Sequence, residues 1–304
     1  MIRIFKFIFF LAINVYSQSN NIAQRLGYDA NDKLLIIHAD DIGVSHSVNV
    51  ASFKAFKSGS ISSGSIMMPC PWVLEVAEFS INNPNYDLGL HLTITSEWKN
   101  YKWDGITSSN EIKSLLSNNY FYDNTNDIKK YADAEEIRKE IQSQIYFAKK
   151  IGINPTHLDS HMGALSIRPD IIKVYLEVGK TNRIPVFTPI QFKPLLEKIN
   201  WDQSEIVWVD KYFMMNGNGV SEDKWFDFYA NIISNIKSGL NVILVHLGKD
   251  NEELKAVTID HPAFGSKWRS LDLKVLESKE FKDLLLKNNI KVINWRDIKR
   301  VLYP

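Results

Sequence analysis

Cysteine is nearly absent from this 304-residue chain: Cys70 stands alone, so no disulfide forms within it. It sits in Met67-Met68-Pro69-Cys70-Pro71, an apolar setting that suits a small buried residue better than a nucleophile. Net charge is also scarce, with 36 basic against 35 acidic residues and no long block of either sign. Nucleic-acid binding usually needs a basic face, so this balance argues against such a partner. Internal repeats and low-complexity tracts are missing. No apolar run reaches the roughly 20 residues that span a bilayer.

What is present begins at the N-terminus. Arg3 and Lys6 supply a basic start, Phe7 to Val15 is almost wholly apolar, and Ser17-Gln18-Ser19-Asn20 is small and polar. That is the layout of a secretory signal peptide cleaved after Ser17, and it predicts export to a periplasm or the exterior without lasting membrane insertion. The expected organisation is a signal peptide over 1–17, a polar leader over 18–32 and one catalytic domain over 33–304.

From Lys33 onward, strand-like and helix-like segments alternate. Strands are expected at 33–38, 61–67, 87–92, 156–159, 184–187, 205–209, 240–246 and 291–294. Helices are expected at 45–58, 72–82, 132–151, 169–178, 192–199, 222–236 and 271–287, with one more at the C-terminus. A long polar and aromatic connection covers 93–131. About eight strands in strict alternation with helices imply a parallel sheet, and the fold class is α/β, a TIM-like (β/α) barrel, deformed or incomplete. An open doubly wound sheet is the alternative.

Metal-capable side chains gather where these strands end. His38-Ala39-Asp40-Asp41-Ile42-Gly43 follows the apolar run Leu34 to Ile37, so two carboxylates emerge together from a buried strand. Side by side, such charges need a shared cation or a proton. His91 closes the third strand; His157, Asp159 and His161 leave the fourth; His246 ends a later one. In a parallel barrel those ends converge on one face, where active sites form. Two imidazoles and a carboxylate make an open site for a divalent cation, and the second carboxylate of the pair is free to take a proton. Duller readings exist for each: a helix cap for Asp40-Asp41, a hydrogen-bonded structural role for His91, a surface position for His46.

Together, His38 to Gly43, Gly89-Leu90-His91-Leu92 and Thr156-His157-Leu158-Asp159-Ser160-His161 resemble the motifs of the YdjC-like carbohydrate deacetylase family, which includes chitooligosaccharide deacetylases. The resemblance runs from about Lys33 to the C-terminus. It implies a deformed TIM-like barrel that removes acetyl groups from N-acetylated mono- or oligosaccharides with water activated on one divalent metal ion, magnesium or zinc. By position, Asp41, His91 and His161 would be the ligands and Asp40 the general base. His157 and Asp159 would orient the histidines or touch substrate. His246 is the expected acid for the departing amine, with His261 behind it in Asp260-His261-Pro262, a segment similar to a His-Pro stretch of the family. Arg269 is expected either at the substrate or in a surface salt bridge. The family's further histidines after the third motif are replaced here by Met162-Gly163-Ala164-Leu165. Trp98, Tyr101 and Trp103 could form a platform for sugar rings. An O-acetyl esterase and a non-catalytic sugar binder are the competing functions.

Overall fold

A computed structural model describes residues 21–215 and 220–304. The expected signal peptide therefore lies outside the described residues. Among these, no helix is long and apolar enough to cross a membrane.

Nine strands carry the architecture: β1 (Lys33–Ile42), β2 (Ser63–Ile66), β3 (Leu88–Leu92), β4 (Leu158–Ser160), β5 (Thr188–Pro189), β6 (Trp208–Val209), β7 (Lys211–Met214), β8 (Gly239–His246) and β9 (Ile290–Val292). A seven-stranded parallel sheet runs β4-β3-β2-β1-β8-β7, with β9 also paired to the start of β1. Its open side is spanned thinly, by an isolated bridge from Leu158 to Val186 and by the parallel pair β5–β6. The result is a curled, incomplete TIM-like barrel with helices outside it, as the α/β alternation implied, and not a flat doubly wound sheet.

The two-residue period of β1 sorts its side chains between two cores. Leu35, Ile37 and Ala39 join the large core beneath the outer helices. Leu34 and Ile36 face the other way, with Leu240 and Val242 of β8 and with Trp295. His38 and Asp40 continue that second face, and His246 does so on β8, where the register sets it opposite Asp40. The space enclosed by the curl is thus apolar at the N-terminal ends of the strands and polar at their C-terminal ends. In β3 the outward set is Leu88, Leu90 and Leu92, leaving Gly89 and His91 for the inside. A side chain at Gly89 has no room, since an added Cβ would stand 2.4 Å from the His157 ring.

Several expected elements differ. The helix expected over 271–287 is two, Ser266–Glu277 and Lys279–Lys287. They break at Ser278, whose extended backbone and hydroxyl, accepting from the Phe281 amide at 3.2 Å, start a new helix. The strand expected at 205–209 shrinks to β6, and an unexpected β7 follows it beyond Asp210, which turns its carboxylate to the Leu240 amide at 2.8 Å. The strand expected at 184–187 pairs only at Val186 before β5. Within the long connection lie a hairpin of Leu116–Ser117 with Tyr120–Phe121 and the helix Thr125–Tyr131.

Candidate metal centre and active site

In a regular strand Asp40 and Asp41 would point to opposite faces. They do not here, because β1 carries a bulge: its register against β2 shifts between Ala39 and Ile42, and Asp41 takes a left-handed φ of 65°. Such bulges re-aim side chains beside active sites. Both carboxylates therefore enter the same cavity, of about 870 Å³, at the polar end of the curl. Gly43 then closes the turn at φ +95°, its amide donating to Asn49 Oδ1 at 2.7 Å, and Ser45 caps the helix His46–Lys57.

His91 Nε2 and His161 Nδ1 each lie 3.4 Å from the same oxygen, Asp41 Oδ1. That oxygen is buried and accepts no hydrogen bond. An orphaned carboxylate oxygen between two imidazole nitrogens is costly unless a cation shares it. A tetrahedral cation with ligand distances of about 2.0–2.1 Å has ligand-to-ligand edges of about 3.4 Å, which matches both spacings. The donor set fits a divalent ion. Two other groups of acids and histidines share this region, His38 with His157 and Asp159, and Asp40 with His91 and Asp159. Their donors are already spent on one another, at 2.8 Å for His38 Nε2 to Asp159 Oδ2 and 2.6 Å for His91 Nδ1 to Asp159 Oδ1.

Each candidate ligand is held from behind. Asp159, opposite His91 in the β3–β4 register, accepts from His91 Nδ1 and fixes Nε2 toward Asp41. Glu97 accepts from His161 Nε2 at 2.9 Å and fixes Nδ1 in the same way. Arg269 is buried, not at the surface: Nη2 donates to Asp41 Oδ2 at 2.6 Å and Nε to the Phe264 carbonyl at 2.5 Å. These contacts set the charges. Burial raises the Asp41 pKa, but Arg269 and then His161 hold it well below the usual carboxylate value. Burial lowers His161, yet Glu97 and Asp41 raise it to about 10 in the metal-free protein. His246 is driven down to about 4, chiefly by burial, and is neutral at pH 7.

A model of the YdjC-like protein family matches residues 34–287, most of the chain. This chain belongs to the YdjC-like family. Among its curated relatives, the carbohydrate deacetylase of Thermus thermophilus is 27% identical over 93% of this chain and all of that protein. The carbohydrate deacetylase of Thermoanaerobacter pseudethanolicus is 25% identical over 88% of this chain and all of that one. These relatives support a deacetylase enzyme. A solved structure from Enterococcus faecalis, described as a candidate cellobiose-phosphate cleavage protein, matches with a TM-score of 0.73 at 22% identity, covering 88% of this chain and 99% of that one. That likeness shows the fold.

In this YdjC-like chain the structure gathers most of the residues singled out above. Asp40, Asp41, His91, Asp159, His161, His246, His261 and Arg269 all line the cavity. His246 Nε2 lies 3.9 Å from both Asp40 Oδ2 and Asp41 Oδ2, whereas His261 belongs to the loop at the mouth. His157 does not line the cavity: its ring is fully buried, stacked on Trp295 behind Asp159, and burial keeps it neutral. It cannot touch substrate, and its Nε2 stands 3.7 Å from Asp159 Oδ2, beyond hydrogen-bond reach. The aromatic platform is corrected too. Trp98 lines the cavity, but Trp103 is buried, donating from Nε1 to the Thr95 carbonyl at 2.8 Å, and Tyr101 bonds the Val44 carbonyl at 2.7 Å.

Two further positions beside the candidate ligands were given no role by the sequence. His38 is buried between Asp159 Oδ2 at 2.8 Å and Asp40 Oδ1 at 3.1 Å. Burial lowers its pKa, but Asp159 and Asp40 raise it to about 10, so it is a cation beneath the carboxylates. Its place two residues before Asp40 on one strand face was the available signal. Glu97 gave no such signal. Its loop is pinned from the helix Ala134–Lys150, where Gln144 brackets Thr93 and Glu140 accepts from the Ile106 and Thr107 amides.

Proposed function

We propose that this chain is a metal-dependent carbohydrate deacetylase that hydrolyses the acetamide of N-acetylated mono- or oligosaccharides. The observation that carries the reading is the unpartnered Asp41 Oδ1 between His91 Nε2 and His161 Nδ1, with a second carboxylate beside it in one cavity. Asp41, His91 and His161 would hold the ion. Nitrogen donors and the 3.4 Å spacings favour zinc over magnesium, which prefers oxygen ligands in an octahedron. When bound, a divalent cation polarises the acetyl carbonyl and lowers the pKa of water. Asp40 takes the proton of the attacking water. His246, which lines the same cavity 3.9 Å from Asp40 Oδ2, would be the group that gives a proton to the departing amine. Asp159, Glu97 and Arg269 keep the three ligands aimed.

Acetate release from a panel of N- and O-acetylated sugars tests this, run on metal-free protein and after addition of zinc or magnesium. N-acetyl hydrolysis restored by metal supports the reading. Release from O-acetyl sugars alone makes the protein an esterase, and tight sugar binding without any release makes it a binder. We also propose export, supported by the basic and apolar N-terminal sequence. N-terminal sequencing of the mature protein should begin at Gln18, and a mature chain that retains Met1 would overturn it.

A further inference from the structure

His38 takes part in no step proposed above, yet it lies where the base and a metal ligand meet. It is buried, opposite Ser63 in the β1–β2 register, and its two ring nitrogens have different neighbours. Nδ1 lies 2.9 Å from Ser63 Oγ, a contact between two strands. Nε2 lies 2.8 Å from Asp159 Oδ2 and 3.1 Å from Asp40 Oδ1. A ring nitrogen that faces two carboxylates carries a proton and donates it to both. The other oxygen of Asp159 accepts from His91 Nδ1 at 2.6 Å. One buried chain of side chains thus runs from the ligand position His91 through Asp159 and His38 to Asp40.

This chain decides which oxygen of Asp40 is left for chemistry. The terminal torsion of an aspartate is soft and broad, so a carboxylate needs an anchor to present one chosen oxygen. Among the described residues the side-chain hydrogen bond to Asp40 besides that of His38 comes from Ser65 Oγ, to the same Oδ1 and long at 3.4 Å. Oδ2 remains on the cavity side, 3.9 Å from His246 Nε2. We propose that His38 is the positioning residue of the catalytic base, holding Asp40 Oδ1 through Nε2 so that Oδ2 faces the attacking water, and tying that base to His91 through Asp159. This rests on the deacetylase reading and adds to it a residue that touches neither substrate nor metal. The rival role for His38 is structural, a plug that joins β1 to β2 through Nδ1 and Ser63.

Two amides separate these roles. The side-chain nitrogen of asparagine reaches the place of Nδ1, whereas that of glutamine reaches the place of Nε2, and each supplies N–H donors. His38→Asn should lower kcat on an N-acetylated disaccharide by about 10–100-fold and weaken zinc binding, read by chelator competition, by about tenfold. His38→Gln should keep kcat and zinc affinity within about fivefold of the parent. KM should stay within about twofold of the parent in both variants, because the lost interaction acts on the base and not on bound sugar. Asparagine equal to or better than glutamine in kcat would overturn the proposal, as would a loss carried wholly by KM. Ser63→Ala keeps the proposal refutable even where neither His38 variant folds. It removes the partner of Nδ1 and leaves Nε2 in place, so it should lower the melting temperature while holding kcat within about threefold, and a loss of about tenfold or more would overturn the assignment. Acetate from no sugar with the metal-loaded parent would overturn the deacetylase reading instead, and zinc competition would still read the arm through Asp159 and His91.

Discussion

Replacing Arg269 by methionine removes the guanidinium that faces Asp41 while keeping an apolar stem of similar reach. Arg269 is 1% exposed and Asp41 3%, so water cannot substitute for the lost partner. Breaking a buried ion pair from one side typically costs about 3–5 kcal/mol, because the other charge stays buried. At about 2–4 °C per kcal/mol for a chain of this class, metal-free Arg269→Met should melt about 6–20 °C below the parent. A divalent ion on Asp41 neutralises the same carboxylate, so added zinc should stabilise the variant more than the parent. Acid titration gives a second readout. A carboxyl whose folded pKa is depressed below its unfolded value contributes stability present above that unfolded value, and loses it as pH falls through the folded one. Asp41 is such a group, held down mainly by Arg269 against the upward pull of burial. Without the arginine its folded pKa rises, and the acid-unfolding midpoint of the metal-free protein should move to higher pH. Thermal melts with chelator and with zinc, repeated across pH, measure all three effects. A melting temperature within about 2 °C of the parent, or an equal loss with and without zinc, would refute the assignment of Arg269 as the counter-charge of Asp41.

Three further outcomes are expected. Asp40→Asn should lower kcat by about 10²–10⁴-fold while metal analysis shows the parent's metal content; full activity with metal in place would remove Asp40 as the base. Glu97→Gln should weaken zinc affinity by about 10–100-fold in competition with a chelator, since it loosens His161, and an unchanged affinity would end that role. Gly89→Ala should destabilise the protein by about 1–3 kcal/mol in denaturant melts, because its Cβ meets the His157 ring, and a neutral result would show that the ring moves freely.

The parts of the fold and site that were legible were those governed by local pattern. Leu34 to Ile37 and Val242 to Val245 read as buried strands because unbroken apolar runs suit a sheet covered on both sides. The residues that follow them then had to emerge at one end. The helix break at Ser278 was hidden because the flanking segments keep a helical pattern through it. Glu97 was illegible for a different reason. Its loop has no period of its own, and its position depends on Glu140 and Gln144, over 30 residues downstream. Trp103 and Tyr101 misled because aromatic residues in a polar connection suggest a ligand platform, whereas this connection packs them into the large core beneath the outer helices. Asp40 and Asp41 were found as a pair, but the device that lets both serve one cavity lies in backbone conformation, which composition does not report.

That device has a historical consequence. An unbulged strand can be given any side chains by substitution, yet it never presents two neighbours to the same side. The arrangement at Asp40 and Asp41 needs the extra residue that shifts the register against β2. A descendant that lost this residue would swing Asp41, or everything after it, onto the wrong face in a single step. No point mutation would restore the pair. The chemistry of this barrel is therefore guarded by chain length at one position as firmly as by the identity of its carboxylates.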